Sequence, residues 1–202
     1  MSSEAAVRSA LRRHVAASTH RQRQEVIDEF WVPLSHERVD VAVIGSVMQA
    51  FEIKTARDNL KRLPRQIEAY GRIFDQCTAV VAERHAEGVL TMVPQWWGVV
   101  VARGDATPTL GILQKPGQNP SVDPLTLVRL LWRDEVYSAL VDLGSEPSPR
   151  TGRVAMWEEL LRVAQVDVLR VIVQQALLER QPALARIPSR RFAAALMATT
   201  GP

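Results

Sequence analysis

Three residues in the first third of the chain could do chemistry together: Asp40 in "RVDVAVI", and Glu52 and Lys54 in "FEIKT". Glu52 and Lys54 are two apart, so in a strand their side chains leave the same face. A carboxylate and an ammonium on a half-buried sheet are costly unless they have a partner or a task. Asp40 adds a second carboxylate. Two carboxylates a few ångströms apart repel unless a cation lies between them. Magnesium is held by one or two carboxylates and keeps water positions open for a substrate phosphate. A neighbouring lysine can orient an attacking water or steady charge on the phosphate. A set of that composition suits metal-assisted hydrolysis of a phosphodiester. The bland alternative is a surface ion pair on an exposed sheet face.

The elements around these residues must bring them to one face. In "RVDVAVIGSVMQAFEIKT", Val39, Val41 and Val43 alternate with Asp40, Ala42 and Ile44, and Phe51 and Ile53 alternate with Ala50, Glu52 and Lys54. This period of two, broken at Gly45-Ser46, predicts a β-hairpin. The odd positions form one apolar face and the even positions carry the charges. The apolar faces match only if paired residues sum to an even number, which sets Asp40 beside Glu52. A one-residue slip would turn one strand inside out.

Upstream, Val7, Leu11 and Val15 recur at a spacing of four, so residues 4–16 read as a helix. A polar break, "STHRQRQ", follows. A second short helix is expected at "RQEVIDEF", with Val26, Ile27 and Phe30 on one side and Pro33 at or beyond its end. Downstream, Leu60, Leu63, Ile67, Tyr70 and Phe74 mark a helix with Pro64 in its first turn, ending near Phe74. "CTAVVAE" reads as a buried strand and "RHAEGVLTMVP" as a short helix. "WWGVVVAR" reads as another strand, with Trp96 and Trp97 on opposite faces, and "TLGIL" pairs back on it. The order indicates an α/β core. "QKPGQNPSVDP" reads as a linker between a core over 1–115 and a helical extension over 122–202. That extension should hold "PLTLVRLLWRDEVYSALVDL", "RVAMWEELLRVAQVDVLRVIVQQALLERQ" and "SRRFAAALMA".

The composition permits this reading. Of 202 residues, 47% are hydrophobic and 23% charged, enough for a core of ordinary character. No apolar run is long enough to cross a bilayer. The N-terminal stretch has no apolar centre of a secretory signal. The single cysteine, Cys77, excludes an internal disulfide and suits a reducing cytoplasm. The scattered histidines lack zinc-ligand spacing. The net charge is +3 and the pI about 9.5, with arginine supplying most of the positive charge. Arginine's planar fork suits phosphate, although a GC-rich genome raises arginine as well. Charge therefore permits a nucleic-acid partner without requiring one.

In this pattern the sequence resembles the PD-(D/E)XK nuclease superfamily. Asp40 matches the first acid and Glu52-Ile53-Lys54 the (D/E)-x-K; Val39 stands where that family often has proline. Gln66 and Tyr70, in "QIEAY", match the Q-x-x-x-Y element of its RecB-like branch and share a helix face at i and i+4. Glu29, in "IDEF", matches the acid this superfamily often carries on the helix before its first core strand. The longer string "RVDVAVI…FEIKTARDNLKRLPRQIEAY…VVAERH…VPQWWG" resembles a small bacterial family placed there. That likeness covers roughly 25–100 and, more loosely, "LLWRDE" at 130–135.

The resemblance implies a restriction-endonuclease-like core, a mixed central sheet flanked by helices, followed here by a helical C-terminal extension. It implies a cytoplasmic Mg²⁺- or Mn²⁺-dependent deoxyribonuclease that leaves a 5′-phosphate and a 3′-hydroxyl, acting in repair, recombination, mobile elements or phage defence. Asp40, Glu52, the Ile53 carbonyl and Glu29 would bind metal. Lys54 would position water, with Gln66 and Tyr70 beside the site. Arg38, Arg57, Lys61, Arg62 and Arg65 are candidate phosphate contacts. Asp58 fits a helix cap, and His85 a helix start or a hydrogen bond. The C-terminal helices could serve a homodimer or a protein partner, and Arg186, Arg190 and Arg191 lend them basic character. The rival reading is a non-catalytic module that binds nucleic acid or a partner on a nuclease scaffold.

Overall fold

The computed structural model describes residues 2–18 and 23–184. It divides into two compact units, 1–121 and 122–202.

The first unit is built on a six-stranded mixed sheet in the order β1-β2-β3-β4-β5-β6. The strands are β1 (Glu25–Trp31), β2 (Arg38–Ile44), β3 (Gln49–Lys54), β4 (Gln76–Ala82), β5 (Gly98–Arg103) and β6 (Thr109–Gln114). β3, β4 and β5 run parallel and the outer pairs are antiparallel. Parallel neighbours need crossovers. α2 (Leu63–Gly71) supplies one, and a 3₁₀ turn (Glu83–His85) with α3 (Ala86–Met92) supplies the other. The mixed α/β architecture expected from the element order is therefore present.

The hairpin has the even register: Val41 faces Phe51, Ala42 faces Ala50 and Val43 faces Gln49. Its odd face meets α1 (Glu4–Ser18). There Val7, Leu11 and Val15 pack with Val41, Val43, Phe51, Ile53, Val80 and Val100. The even face looks toward α2, whose Gln66 and Tyr70 reach Glu52. Both faces are covered, so Glu52 and Lys54 are only 2% and 8% exposed. A surface ion pair is thereby excluded.

One element differs from expectation. Residues 25–31 form β1, an antiparallel strand along β2, and not a helix. The i, i+1, i+4 pattern of Val26, Ile27 and Phe30 imitates a helix face, but the β-branched pair also suits a strand, and pairing to β2 decides. Glu29 is thus a strand residue with φ 53°, a left-handed conformation uncommon for a side chain of this kind.

α2 begins with Pro64 in its first turn, as expected, and stops at Gly71. Ile73 and Phe74 follow it into the core, where Phe74 meets Phe30 edge-on at 5.6 Å. Trp96 and Trp97 precede β5, so they do not divide between its faces. Trp97 is fully buried and stacks on Tyr70, centroids 6.3 Å apart. Gly98 begins β5 where any side chain would collide: a Cβ there would lie 2.7 Å from Thr78 Oγ1 and 2.9 Å from Pro116 Cδ. The proline-rich stretch after β6 packs with this unit, because the buried Asn119 side chain donates to the carbonyls of Gly71 (2.7 Å) and Phe74 (2.8 Å).

In the second unit the two long helical stretches are each divided. They give α4 (Pro124–Val128), α5 (Arg133–Asp142), α6 (Arg153–Val163) and α7 (Val166–Leu184). Asp123 caps α4, accepting from the amides of Leu125 and Thr126. The Trp132 amide donates to Glu135 (2.7 Å), which starts α5. Buried Arg180 of α7 pairs with Glu135 and donates to the Leu130 carbonyl (2.8 Å), while its guanidinium covers the Trp132 ring at 4.1 Å. "SRRFAAALMA", with Arg186, Arg190 and Arg191, lies outside the described residues. Among the described residues no helix is long and apolar enough to cross a membrane.

Candidate active site

The β2–β3 ladder ends at Val41 and Phe51, and the strands part toward Asp40 and Glu52. The Asp40 side chain fills the gap: its Oδ2 accepts the Ile53 amide at 2.6 Å. A carboxylate thus replaces a ladder carbonyl at the point where the sheet opens. Burial pushes the Asp40 carboxyl up to about 7, and the charge of Glu52 adds to that, against the Ile53 amide and Lys54, which pull it down. The two acids therefore feel one another, as a shared face requires.

Glu52 is held from three sides. Its Oε1 accepts from Lys54 Nζ and Gln66 Nε2, both at 2.6 Å, and its Oε2 from the Tyr70 hydroxyl at 2.7 Å. The same hydroxyl lies 2.6 Å from the Arg38 carbonyl. It has one proton, so it can donate fully to only one of these acceptors at a time. Burial, with the nearby Glu52 charge, raises the Tyr70 phenol well above its ordinary value. Gln66 is 3% exposed, and its Oε1 has no hydrogen-bond partner.

A second group of charges adjoins Asp40. Arg8 of α1 donates to the Asp40 carbonyl (2.6 Å), to Glu4 (2.6 Å) and to Glu29 (3.0 Å), and it lies 3.4 Å from Asp28. These carboxylates hold the guanidinium firmly protonated against the cost of its burial. Asp28 and Glu29 are consecutive strand residues, which ordinarily face opposite ways. The left-handed turn at Glu29 lets both reach Arg8. Carboxylate oxygens of Glu4, Glu29 and Asp40 lie within 4.8 Å of one another.

Asp40, Glu52, Lys54, Gln66 and Tyr70 are therefore brought together, and Glu29 reaches Asp40 from a strand rather than from a helix. Ile53 meets the site through its amide. The basic residues divide. Arg62 and Arg65 flank Glu37 at 2.7 and 4.0 Å, and Arg38 lies 3.8 Å from Glu29. Arg57 and Lys61 are exposed, with no ion-pair partner among the described residues. Asp58 does not cap α2; its Oδ2 accepts from the amide and hydroxyl of Thr55. His85, in the 3₁₀ turn, lies 3.1 Å from the Thr55 carbonyl. Sequence reasoning missed Arg8, Glu4 and Glu37. Arg8 stands one residue from Val7 on an ordinary amphipathic helix, and nothing local distinguishes it.

The donor set suits a hard divalent cation. Two carboxylates and an unpartnered buried amide oxygen are oxygen ligands of the type Mg²⁺ and Mn²⁺ prefer, and the raised Asp40 carboxyl marks a site short of positive charge.

Fold and site together define a mixed α/β protein whose sheet opens onto a buried acid–lysine cluster. The chain belongs to the bacteriophage P4 protein cII family, whose model matches residues 1–191. Protein cII of Enterobacteria phage P4 is 36% identical over 120 residues, which are 59% of this chain. The chain spans 46% of that relative's length. A solved structure, the SPO1766 protein of unknown function from Silicibacter pomeroyi, overlaps 59% of this chain and 75% of its own at 19% identity, with a TM-score of 0.44. Neither name states an activity.

Proposed function

We propose that the protein is a metal-dependent nuclease of the PD-(D/E)XK type that hydrolyses phosphodiester bonds, with DNA as its substrate. The observation that carries this reading is the convergence of Asp40, Glu52 and Lys54 at the opening of the sheet, where burial and mutual repulsion lift the Asp40 carboxyl to about 7. Without a ligand, such an arrangement costs the fold free energy.

Asp40 and Glu52, with the Ile53 carbonyl, would hold Mg²⁺ or Mn²⁺, and Glu29 would add a ligand on the outer side of Asp40. The ion, when bound, supplies Lewis-acid polarisation of a phosphoryl oxygen and a more acidic water. Lys54 orients the attacking water and steadies negative charge on the phosphate. Tyr70 and Gln66 fix the Glu52 carboxylate by donating to it. Exposed Arg57 and Lys61, on the segment that follows Lys54, offer phosphate contacts.

A second reading has its own observation. Both Glu52 oxygens are already satisfied by Lys54, Gln66 and Tyr70, so the cluster could be a self-contained polar core in a non-catalytic module that binds nucleic acid or a protein partner. Calorimetric titration with Mn²⁺ separates the two. The nuclease reading expects uptake by the wild type and none by Asp40→Ala; a folded wild type that takes up no Mn²⁺ favours the module.

A further inference from the structure

The second unit carries an unbalanced positive cluster that the proposed active site does not use. Trp157 of α6 is 4% exposed. Two guanidiniums address its ring: Arg129, at the end of α4, at 5.2 Å from the centroid, and Arg153, the first residue of α6, at 4.8 Å. Such contacts hold a guanidinium in place while leaving its N–H groups free in the plane. Neither guanidinium makes an ion pair or hydrogen bond with another described residue. Most other arginines of this unit contrast with them. Arg133 bonds Asp134 and backbone carbonyls, Arg162 bonds Glu159, and Arg180 bonds Glu135. Like-charge proximity to Arg129, after burial, lowers the Arg153 pKa.

The surroundings add donors. Arg129 Nε and Trp157 Nε1 are buried without a hydrogen-bond partner. α6 starts at Gly152 with no side-chain cap, and its first turn carries no acidic residue. A helix start ordinarily recruits a carboxylate or hydroxyl to its free amides; here an arginine stands there instead. A Cβ at Gly152 would meet nothing within 4 Å, so there is open space beside the helix start. Two fixed guanidiniums, an uncapped helix start and free space make up the donor half of an anion site.

We propose that Arg129 and Arg153, fixed on Trp157 beside the start of α6, form a phosphate-binding site that grips the backbone of a nucleic-acid strand. Arginine's fork matches a phosphate in two-point contact. The helix start adds amides that contact backbone without reading sequence. The site lies entirely in the second unit and does not depend on cleavage by the first.

The test uses the full chain in EDTA, where no metal-dependent cutting occurs. Fluorescence anisotropy with labelled single- and double-stranded oligonucleotides is read across a series of salt concentrations for wild type, Arg129→Gln/Arg153→Gln and Arg162→Gln. Losing two phosphate contacts should reduce the slope of log K against log salt by about 1.4 to 1.8, and should weaken binding to different sequences alike. Arg162→Gln, which removes an arginine already paired with Glu159, should keep the wild-type slope. The Arg129→Lys/Arg153→Lys pair keeps the charge but loses the fork, and should recover only part of the affinity. Arginine side-chain NMR signals, followed on adding inorganic phosphate, distinguish the source. Response to phosphate with no loss of oligonucleotide affinity in the glutamine pair would mean a free-phosphate site and overturn the nucleic-acid assignment. An unchanged slope and unmoved signals would overturn the site altogether.

Discussion

Replacing Asp40 by asparagine should make the metal-free protein more stable, by a margin that grows from about pH 4 and is complete just above neutral pH. The Asp40 carboxyl moves from an ordinary 3.8 to about 7 because burial and the Glu52 charge disfavour its ionised form. Between those values the folded chain keeps a proton that the unfolded chain has released. Stability must therefore fall as pH rises from about 4 to 7, and level off above. The full shift corresponds to about 4 kcal/mol, an upper figure because the opened site relaxes and admits water. Asparagine keeps the shape and an oxygen for the Ile53 amide but carries no charge. Urea unfolding of the full chain in EDTA should show the two proteins within about 1 kcal/mol at pH 4. At pH 8.5 the variant should lead by about 2 to 4 kcal/mol. Added Mn²⁺ should then stabilise the wild type in proportion to RT ln(1 + [Mn²⁺]/Kd) and leave the variant unmoved. Parallel pH profiles, or a variant weaker at every pH, would refute the claim that Asp40 is held in an uncompensated site.

Two further substitutions probe how the site is supported. Tyr70→Phe removes the hydroxyl that serves Glu52 and the Arg38 carbonyl. A buried acceptor left without its donor costs about 1 to 3 kcal/mol, so thermal melting should show a drop of several degrees, and an unchanged midpoint would mean that Glu52 does not depend on Tyr70. Gly98→Ala places a Cβ against Thr78 Oγ1, Pro116 Cδ and the Pro116 backbone nitrogen at 3.1 Å. Displacing β5 from β4 should cost about 1 to 3 kcal/mol, read by the same melt, and a neutral result would show that the chain after β6 yields freely.

The hairpin and its register were legible because alternation is a local signal and the charges break it in only one way. Asp40, Glu52 and Lys54 carry the pattern in their own positions. β1 was not legible. As the first strand in the sheet order it pairs, among the described residues, only with β2 and carries Glu25, Asp28 and Glu29, so its polarity resembles a helix surface, and the left-handed Glu29 breaks the period of two. Arg8 was invisible because its role depends on a fold that sets α1 beside residues 28, 29 and 40. The divided C-terminal helices have no proline or glycine at their breaks. The start of α5 is set by Glu135 reaching back to the Trp132 amide while Arg180, 45 residues on, holds the same carboxylate. Contacts of that range leave no mark on a local window.

The central claim is that Asp40, Glu52 and Lys54 form one metal-dependent hydrolytic site, and a cleavage assay tests it most directly. Wild type, Asp40→Ala and Lys54→Ala, each confirmed folded, are incubated with linear, circular and single-stranded DNA in Mg²⁺, Mn²⁺ or EDTA, and the product ends are determined. The account predicts metal-dependent cutting by the wild type that leaves 5′-phosphates, and none by either variant. Cutting by folded Lys54→Ala at the wild-type rate, or no cutting of any of these substrates by the metal-loaded wild type, would contradict it.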